Sequence, residues 1–155
     1  WNRGYTQLWR HFYIGDGNTI AAIVAPAYGK WTLAVDNTPW TTTFDEYLTD
    51  PVVSPGGTTL AAVFKDSGKW GIVVNDKAWE NRFDMAFPPV FSPDGDHVAA
   101  KVEKDGLYYI AIDGKVLDTR YERLENPIFS PDSSRILIRG MEKAKFTREV
   151  IDIKE

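Results

Sequence analysis

The chain has 155 residues, a formal net charge of −4 and no cysteine, which excludes disulfides, thiolate zinc or iron–sulfur sites and covalent c-type haem. Hydrophobic residues make up 43% and charged residues 26%, the balance of a globular chain. Residues 1–88 hold seven Lys/Arg against nine Asp/Glu and residues 89–155 eleven against thirteen, so neither half offers the basic face that nucleic acid or an anionic membrane would require. The longest apolar runs fall far short of the ~20 residues of a membrane helix.

The first stretch, "WNRGYTQLW" (1–9), reads as a lone strand, with Trp1 rather than Met in first place, as at a processed or fragment end. A unit then begins at 11 and recurs three times, giving expected units 11–50, 51–88, 89–126 and 127–155, with 1–10 completing the last. The registers are in phase. Ala21-Ala22, Ala61-Ala62, Ala99-Ala100 and Leu137-Ile138 correspond; so do Trp31, Trp70, Tyr108 and Phe146; so do Trp1, Trp40, Trp79 and Leu117; and so do Tyr5, Phe44, Phe83 and Tyr121. A period of 38 to 40 residues carried by several registers at once marks a repeat architecture.

Each unit contains four strand-like pieces. The first is "HFYIGDG", "PVVSPGG", "PVFSPDG" or "PIFSPDS", where Pro presets φ for a turn and Gly permits a positive φ. Ser54, Ser92 and Ser130 precede the turn proline, and their recurrence predicts hydroxyls that cap backbone rather than attack substrate. The second piece, "TTLAAVF" or "HVAAKVE", has alanines where sheets approach closely. The third, "WTLAVD", "WGIVVN" or "LYYIAID", ends in a hairpin dipeptide. The fourth is "WTTTFDEYL", "WENRFDMAF" or "LDTRYERLE". No helical period is sustained, so the expected class is all-β: four four-stranded blades of a β-propeller. The head strand Trp1–Leu8 is expected to complete the blade begun at Pro127, either within the chain or in a neighbouring chain.

Aromatic residues have a structural use in such a fold. Trp31, Trp40, Trp70 and Trp79 are expected between adjacent sheets. Trp9, matched only by Phe87, is the tryptophan expected on a contact surface. Six carboxylates fall in the connections between units: Asp45, Glu46, Asp50, Asp84, Glu122 and Glu125. Gathered on one face, they would suit a cation or a Lys-rich partner. The "PDGDH" at 93–97 has too few carboxylates for a calcium loop. Arg120, Arg123, Arg135, Arg139, Lys143, Lys145 and Arg148 make the last unit locally basic, with acids interleaved. His11 and His97 stand in different registers, and neither combines with a nucleophile into a catalytic set, so no enzyme, cofactor or metal is expected.

The recurring "SPDG", followed by a small-apolar strand and a third strand ending in Asp-Gly, resembles the WD40-like (TolB-type, PD40) propeller repeats across essentially the whole chain, without the Gly-His and Trp-Asp dipeptides of true WD40 proteins. "AVDNTPWTTTF", "VVNDKAWENRF" and "WNRGYTQLW" are similar to the D subunit of the Tmc transmembrane electron-transfer complex of sulfate-reducing bacteria, whose greater length would make this chain a C-terminal group of blades. That resemblance implies a cytoplasmic, non-redox accessory subunit beside a multihaem cytochrome c, a membrane cytochrome b and an iron–sulfur protein. The expected function is a non-catalytic protein-binding scaffold. The alternative is a small-ligand or glycan-binding propeller, part of a hydrolase, for which an exposed aromatic beside acids in a concave channel would speak. The absence of cysteine is equally compatible with the periplasm.

Overall fold

In a computed structural model, which describes residues 1–153, the regular structure is all strand. Four antiparallel sheets follow one another along the chain. The first contains β1 (Gln7–Ile14), β2 (Thr19–Ala27), β3 (Lys30–Val35) and β4 (Thr38–Pro39). The second contains β5 (Tyr47–Val53), β6 (Leu60–Asp66), β7 (Lys69–Val74) and β8 (Lys77–Ala78). In the third, β9 (Met85–Ala86) and β10 (Val90–Phe91) both pair with β11 (Val98–Lys104), followed by β12 (Leu107–Ile112) and β13 (Lys115–Val116). In the fourth, β14 (Arg123–Leu124) and β15 (Ile128–Phe129) pair with β16 (Arg135–Glu142), and β17 (Lys145–Asp152) lies on its other side.

The sheets start at Gln7, Tyr47, Met85 and Arg123, upstream of the expected unit boundaries. The end of each expected fourth piece is therefore the first strand of the next sheet. Proline explains the difference. Lacking an N–H, it reads as a strand start, yet here it sits beside an irregularity within the strand. β5 slips register between Thr49 and Val52, with Asp50 at φ 48° just before Pro51. β1 slips likewise at Arg10, φ 52°. Around Pro88-Pro89 and Pro127 the strand breaks into two pieces.

The turns obey their sequence. Asp36-Asn37, Asn75-Asp76 and Asp113-Gly114 all have positive φ at both central residues, the type I′ geometry that fits the twist of two-residue hairpins. Their first side chains then cap the second strand: Asp36, Asn75 and Asp113 Oδ1 accept from the N–H groups of Ile20 (3.1 Å), Leu60 (2.9 Å) and Val98 (2.8 Å). The repeat serines cap as expected, with Ser54, Ser92 and Ser130 Oγ accepting from the N–H groups of Thr59, His97 and Arg135 at 2.9–3.1 Å. Between the first two sheets the turns nearly touch: a Cβ at Gly57 would overlap the backbone of Gly15, and Gly57 also holds φ 72°.

The core is divided among the seams between sheets. Ile14, Ala21, Ile23 and Leu33 meet Phe44, Leu48, Leu60, Ala62, Phe64 and Val73 across the first seam. Val63, Ile72 and Phe83 meet Ala86, Ala100, Val102 and Ala111 across the second. Ala99, Ile110 and Tyr121 meet Leu124, Ile136 and Ile138 across the third. Because successive side chains of a strand point to opposite faces, each central strand serves two seams. Burying each valine, leucine, isoleucine or phenylalanine among them stabilises by ~1.5–3 kcal/mol.

The rings sealed inside these seams are Phe44, Phe64, Phe83 and Tyr121. Trp31, Trp40, Trp70 and Trp79 pack against the first two seams but stay half-buried at their rims, since an indole is too large to enclose fully where a phenyl ring fits. Phe44 stacks on Phe64 at 4.0 Å, and Gly71 leaves room for that ring. In the third seam the sizes reverse, and Tyr121 lies over Gly140.

The head segment does not close the fourth sheet within the chain. Leu8 already belongs to β1, and residues 1–6 lie on the first sheet instead. Tyr5 packs on Ala22, Val24 and Ala34 and donates its hydroxyl to the Asn37 carbonyl at 3.1 Å. Thr6 N–H reaches the Ala25 carbonyl at 2.9 Å. Among the described residues, no strand pairs with the outer edge of β17.

Candidate docking face

In an antiparallel meander the links between sheets and the hairpins joining second to third strands emerge at the same end. Here that end gathers Asp45, Glu46, Asp84, Glu122 and Glu125, but each is engaged. Asp45 pairs with Lys30 and Asp84 with Lys69, both at 2.5 Å. Glu46 pairs with Lys65 at 2.9 Å and accepts from the Gly68 N–H. Asp84 accepts also from the Asp105 N–H at 2.8 Å, and Glu122 from the Ala144 N–H at 3.3 Å. Glu125 pairs with Arg139 at 2.6 Å. Asp50 stands apart in the β5 bulge.

One device recurs in three sheets: a carboxylate of the link accepts from the backbone of the hairpin that follows it. The bond from the Lys65 ammonium and that from Gly68 hold Glu46 below the usual carboxylate range; for Asp84 the causes are Lys69 and then the Asp105 N–H. The bonds to Asp45 and Asp84 raise Lys30 and Lys69. The ion pairs are exposed, so their contribution is small and salt-sensitive. The sequence did carry a signal for them: Lys30–Asp45 and Lys69–Asp84 share the same spacing in successive units.

The open chemistry at this end is aromatic. Tyr28, at a hairpin tip, is 89% exposed, and Tyr47 is 57% exposed and stacks flat on Trp70, with ring centres 6.3 Å apart. Lys65 lies over the Trp70 ring at 5.8 Å. Trp9, on β1, is exposed, and its counterpart Phe87 is half-buried, tilted against Tyr108 and covered by the Lys101 ammonium at 4.0 Å. Burial lowers the pKa of Lys101, which donates to the Leu124 carbonyl at 3.3 Å. Tyr28 and Tyr47 were missed by sequence reasoning, which followed Trp and carboxylates.

At the opposite end, His97 Nδ1 meets Asp113 at 2.7 Å. Ser92 is near in sequence, but its hydroxyl bonds the His97 backbone N–H and the Asp94 carboxylate, so the three residues form a turn. His11 is exposed on the first sheet beside Trp1 and Leu8. Among the described residues, those at 93–97 included, no group of three His, Asp or Glu could hold a metal ion.

No protein-family model matches the sequence, and a search of curated proteins finds no match. Solved structures do match. The chain is similar to the β-propeller domain of the Trilobed protease from Pyrococcus furiosus, at TM-score 0.58 and 16% identity over 95% of this chain and 54% of that one. It also matches the Cps50 (Swd1) β-propeller domain of Myceliophteria thermophila, at TM-score 0.49 and 14% identity over 96% and 51%. The Dos1 propeller follows at TM-score 0.45 and 10% identity over 87% and 52%. The chain thus spans about half the length of the structures it matches. Four consecutive antiparallel meanders packed face to face, together with the first of these likenesses, establish the fold: the chain is built of β-propeller blades.

Proposed function

We propose that the chain is a non-catalytic protein-binding scaffold that presents the loop end of its blades to a partner. The observation supporting this reading is the group of exposed rings there, Tyr28 and Tyr47 on Trp70, set among ion-paired side chains. Aromatic rings on a rigid frame offer large contact area at low ordering cost, and ion-paired neighbours make a polar rim. The sequence resemblance directs the choice of partner: the chain serves in the cytoplasm as an accessory subunit docked to the protein subunits of a membrane-associated electron-transfer complex.

Co-purification tests this. The tagged chain is incubated with detergent-solubilised membranes of its source, and bound haem is read by absorbance. The expected result is haem retained by the wild type and lost with Tyr28→Ala/Tyr47→Ala, which leaves the seams intact. Haem retained equally by the double variant would move the partner off this face. No haem retained by either protein would remove the electron-transfer reading.

A further inference from the structure

Among the described residues, Trp1–Tyr5 and β17 are two unpaired halves of the same contact. Inside the chain, the segment Trp40–Phe44 works on both of its sides. On one side it pairs with β3: Trp31 and Phe44 exchange two backbone hydrogen bonds at 2.8 Å, and Trp40 N–H reaches the Leu33 carbonyl at 2.7 Å. On the other side it fastens to the next blade: Asp76 accepts from the N–H groups of Thr41 (2.9 Å) and Thr42 (2.8 Å), and Phe44 lies on Phe64. The pairing half recurs at Trp70 with Phe83 and at Tyr108 with Tyr121, each exchanging two bonds at 2.9 Å.

Trp1–Tyr5 possesses only the fastening half. Asn37, its amide oxygen turned inward, accepts from the N–H groups of Arg3 (2.9 Å) and Asn2 (3.1 Å), as Asp76 does from Thr41 and Thr42. Tyr5 takes the place of Phe44 against the first blade. β17 offers only the half that pairs. Phe146 occupies the register of Trp31, Trp70 and Tyr108, and is 85% exposed. Leu8, facing outward on the first blade, is 48% exposed, whereas Leu48 at the matching place is 1% exposed.

We propose that these halves meet between copies: Trp1–Tyr5 of one chain pairs with the outer edge of β17 in another, with Tyr5 opposite Phe146. Tyr5 and Phe146 then exchange two backbone bonds, and the Trp1 nitrogen reaches the Arg148 carbonyl. The donor segment needs no rearrangement, because it already lies on its own first blade as Trp40–Phe44 lies on the second. The contact is heterologous, head to tail, and closes into a ring when the rotation per copy permits. It is also weaker than an internal seam. Arg148 stands where Leu33, Ile72 and Ile110 are fully buried, and it lines an open hollow of about 530 Å³ with Arg123, Arg139 and Phe146.

The experiment is sedimentation velocity on the full chain over a concentration series, with two substitutions and one cross-link. The wild type should associate reversibly. Phe146→Asp, a change at an exposed site, should remain a folded monomer. Arg148→Leu should tighten association roughly tenfold or more, by burying a leucine. Because the chain contains no cysteine, Tyr5→Cys/Phe146→Cys should give disulfide-linked pairs of chains on oxidation. The proposal is overturned if wild type and Arg148→Leu both stay monomeric, if Phe146→Asp associates like the wild type, or if the disulfide forms within single chains.

Discussion

β7 and β17 hold the same place in the second and fourth blades and meet different environments. In β7, "KWGIVV", Ile72 and Val73 are completely buried, one in each of the seams flanking the blade. In β17, "KFTREVID", the same places hold Arg148 and Glu149, both exposed. Backbone register is identical in kind: each strand pairs residue by residue with its neighbour, β6 or β16. Strand formation therefore does not depend on which side chains a face carries, provided one edge is paired. What the side chains decide is whether a further blade can pack there without burying charge.

The largest expected effect tests that contrast directly. Ile72→Ala should cost ~2–5 kcal/mol in chemical denaturation, through lost burial and a residual cavity. Arg148→Ala should stay within ~0.5 kcal/mol in the monomeric Phe146→Asp background. Equal costs would show that the outer face of β17 is packed in solution.

A second contrast is between seams. The sealed rings are Phe in the first two and Tyr in the third, where Tyr121 donates its hydroxyl to Glu149 at 3.1 Å. Burial, then the bond and charge of Glu149, push its pKa up to about 12. A raised folded-state pKa means that the unfolded chain ionises first, so this contribution is intact below pH 10 and lost as pH rises toward 12. Thermal melts between pH 10 and 12 should therefore fall more steeply for the wild type than for Tyr121→Phe. Parallel curves would remove the phenol as the cause.

The smallest effect concerns the hairpin tips. Ser67-Gly68 and Asp105-Gly106 place glycine at the second positive-φ residue, whereas the fourth blade has Lys143-Ala144, with Ala144 at φ 59°. Ala144→Gly should stabilise by ~0.4–1 kcal/mol in denaturant titration, by relieving the left-handed alanine. No gain would mean that the added freedom of the unfolded glycine offsets the relief.

The parts legible in the sequence were those carried by local chemistry. Ser-Pro-Asp-Gly specifies its turn within four residues, and the aromatic registers repeat often enough to number the blades. Blade boundaries were harder, because Pro51 and Pro127 are compatible both with a strand start and with a bulge, and only pairing with β6 or β16 decides. Which ring is sealed in a seam was also hidden. Phe44 stacks on Phe64, for which Gly71 makes room, and both lie twenty or more positions away. At the candidate face, the irregular register of Trp9 accompanies an exposed ring, whereas Asp45, Glu46, Asp84, Glu122 and Glu125 are engaged by lysines, by Arg139 and by backbone N–H groups.

The division of the core into successive seams also sets how the molecule comes apart. Among the described residues, each blade shares its buried apolar clusters with the blades adjacent in sequence, so stability is distributed as in a row of coupled units rather than around one centre. The second and third blades are held from both sides, and the first has Tyr5 and its neighbours laid against its outer face. The fourth is held from one side. In the monomeric Phe146→Asp variant, backbone amides of β6, β7, β11 and β12 should thus belong to the slowest-exchanging class, while those of β17 should open in local events that leave the other three blades folded. A molecule assembled from near-identical words is, in its fluctuations, directional.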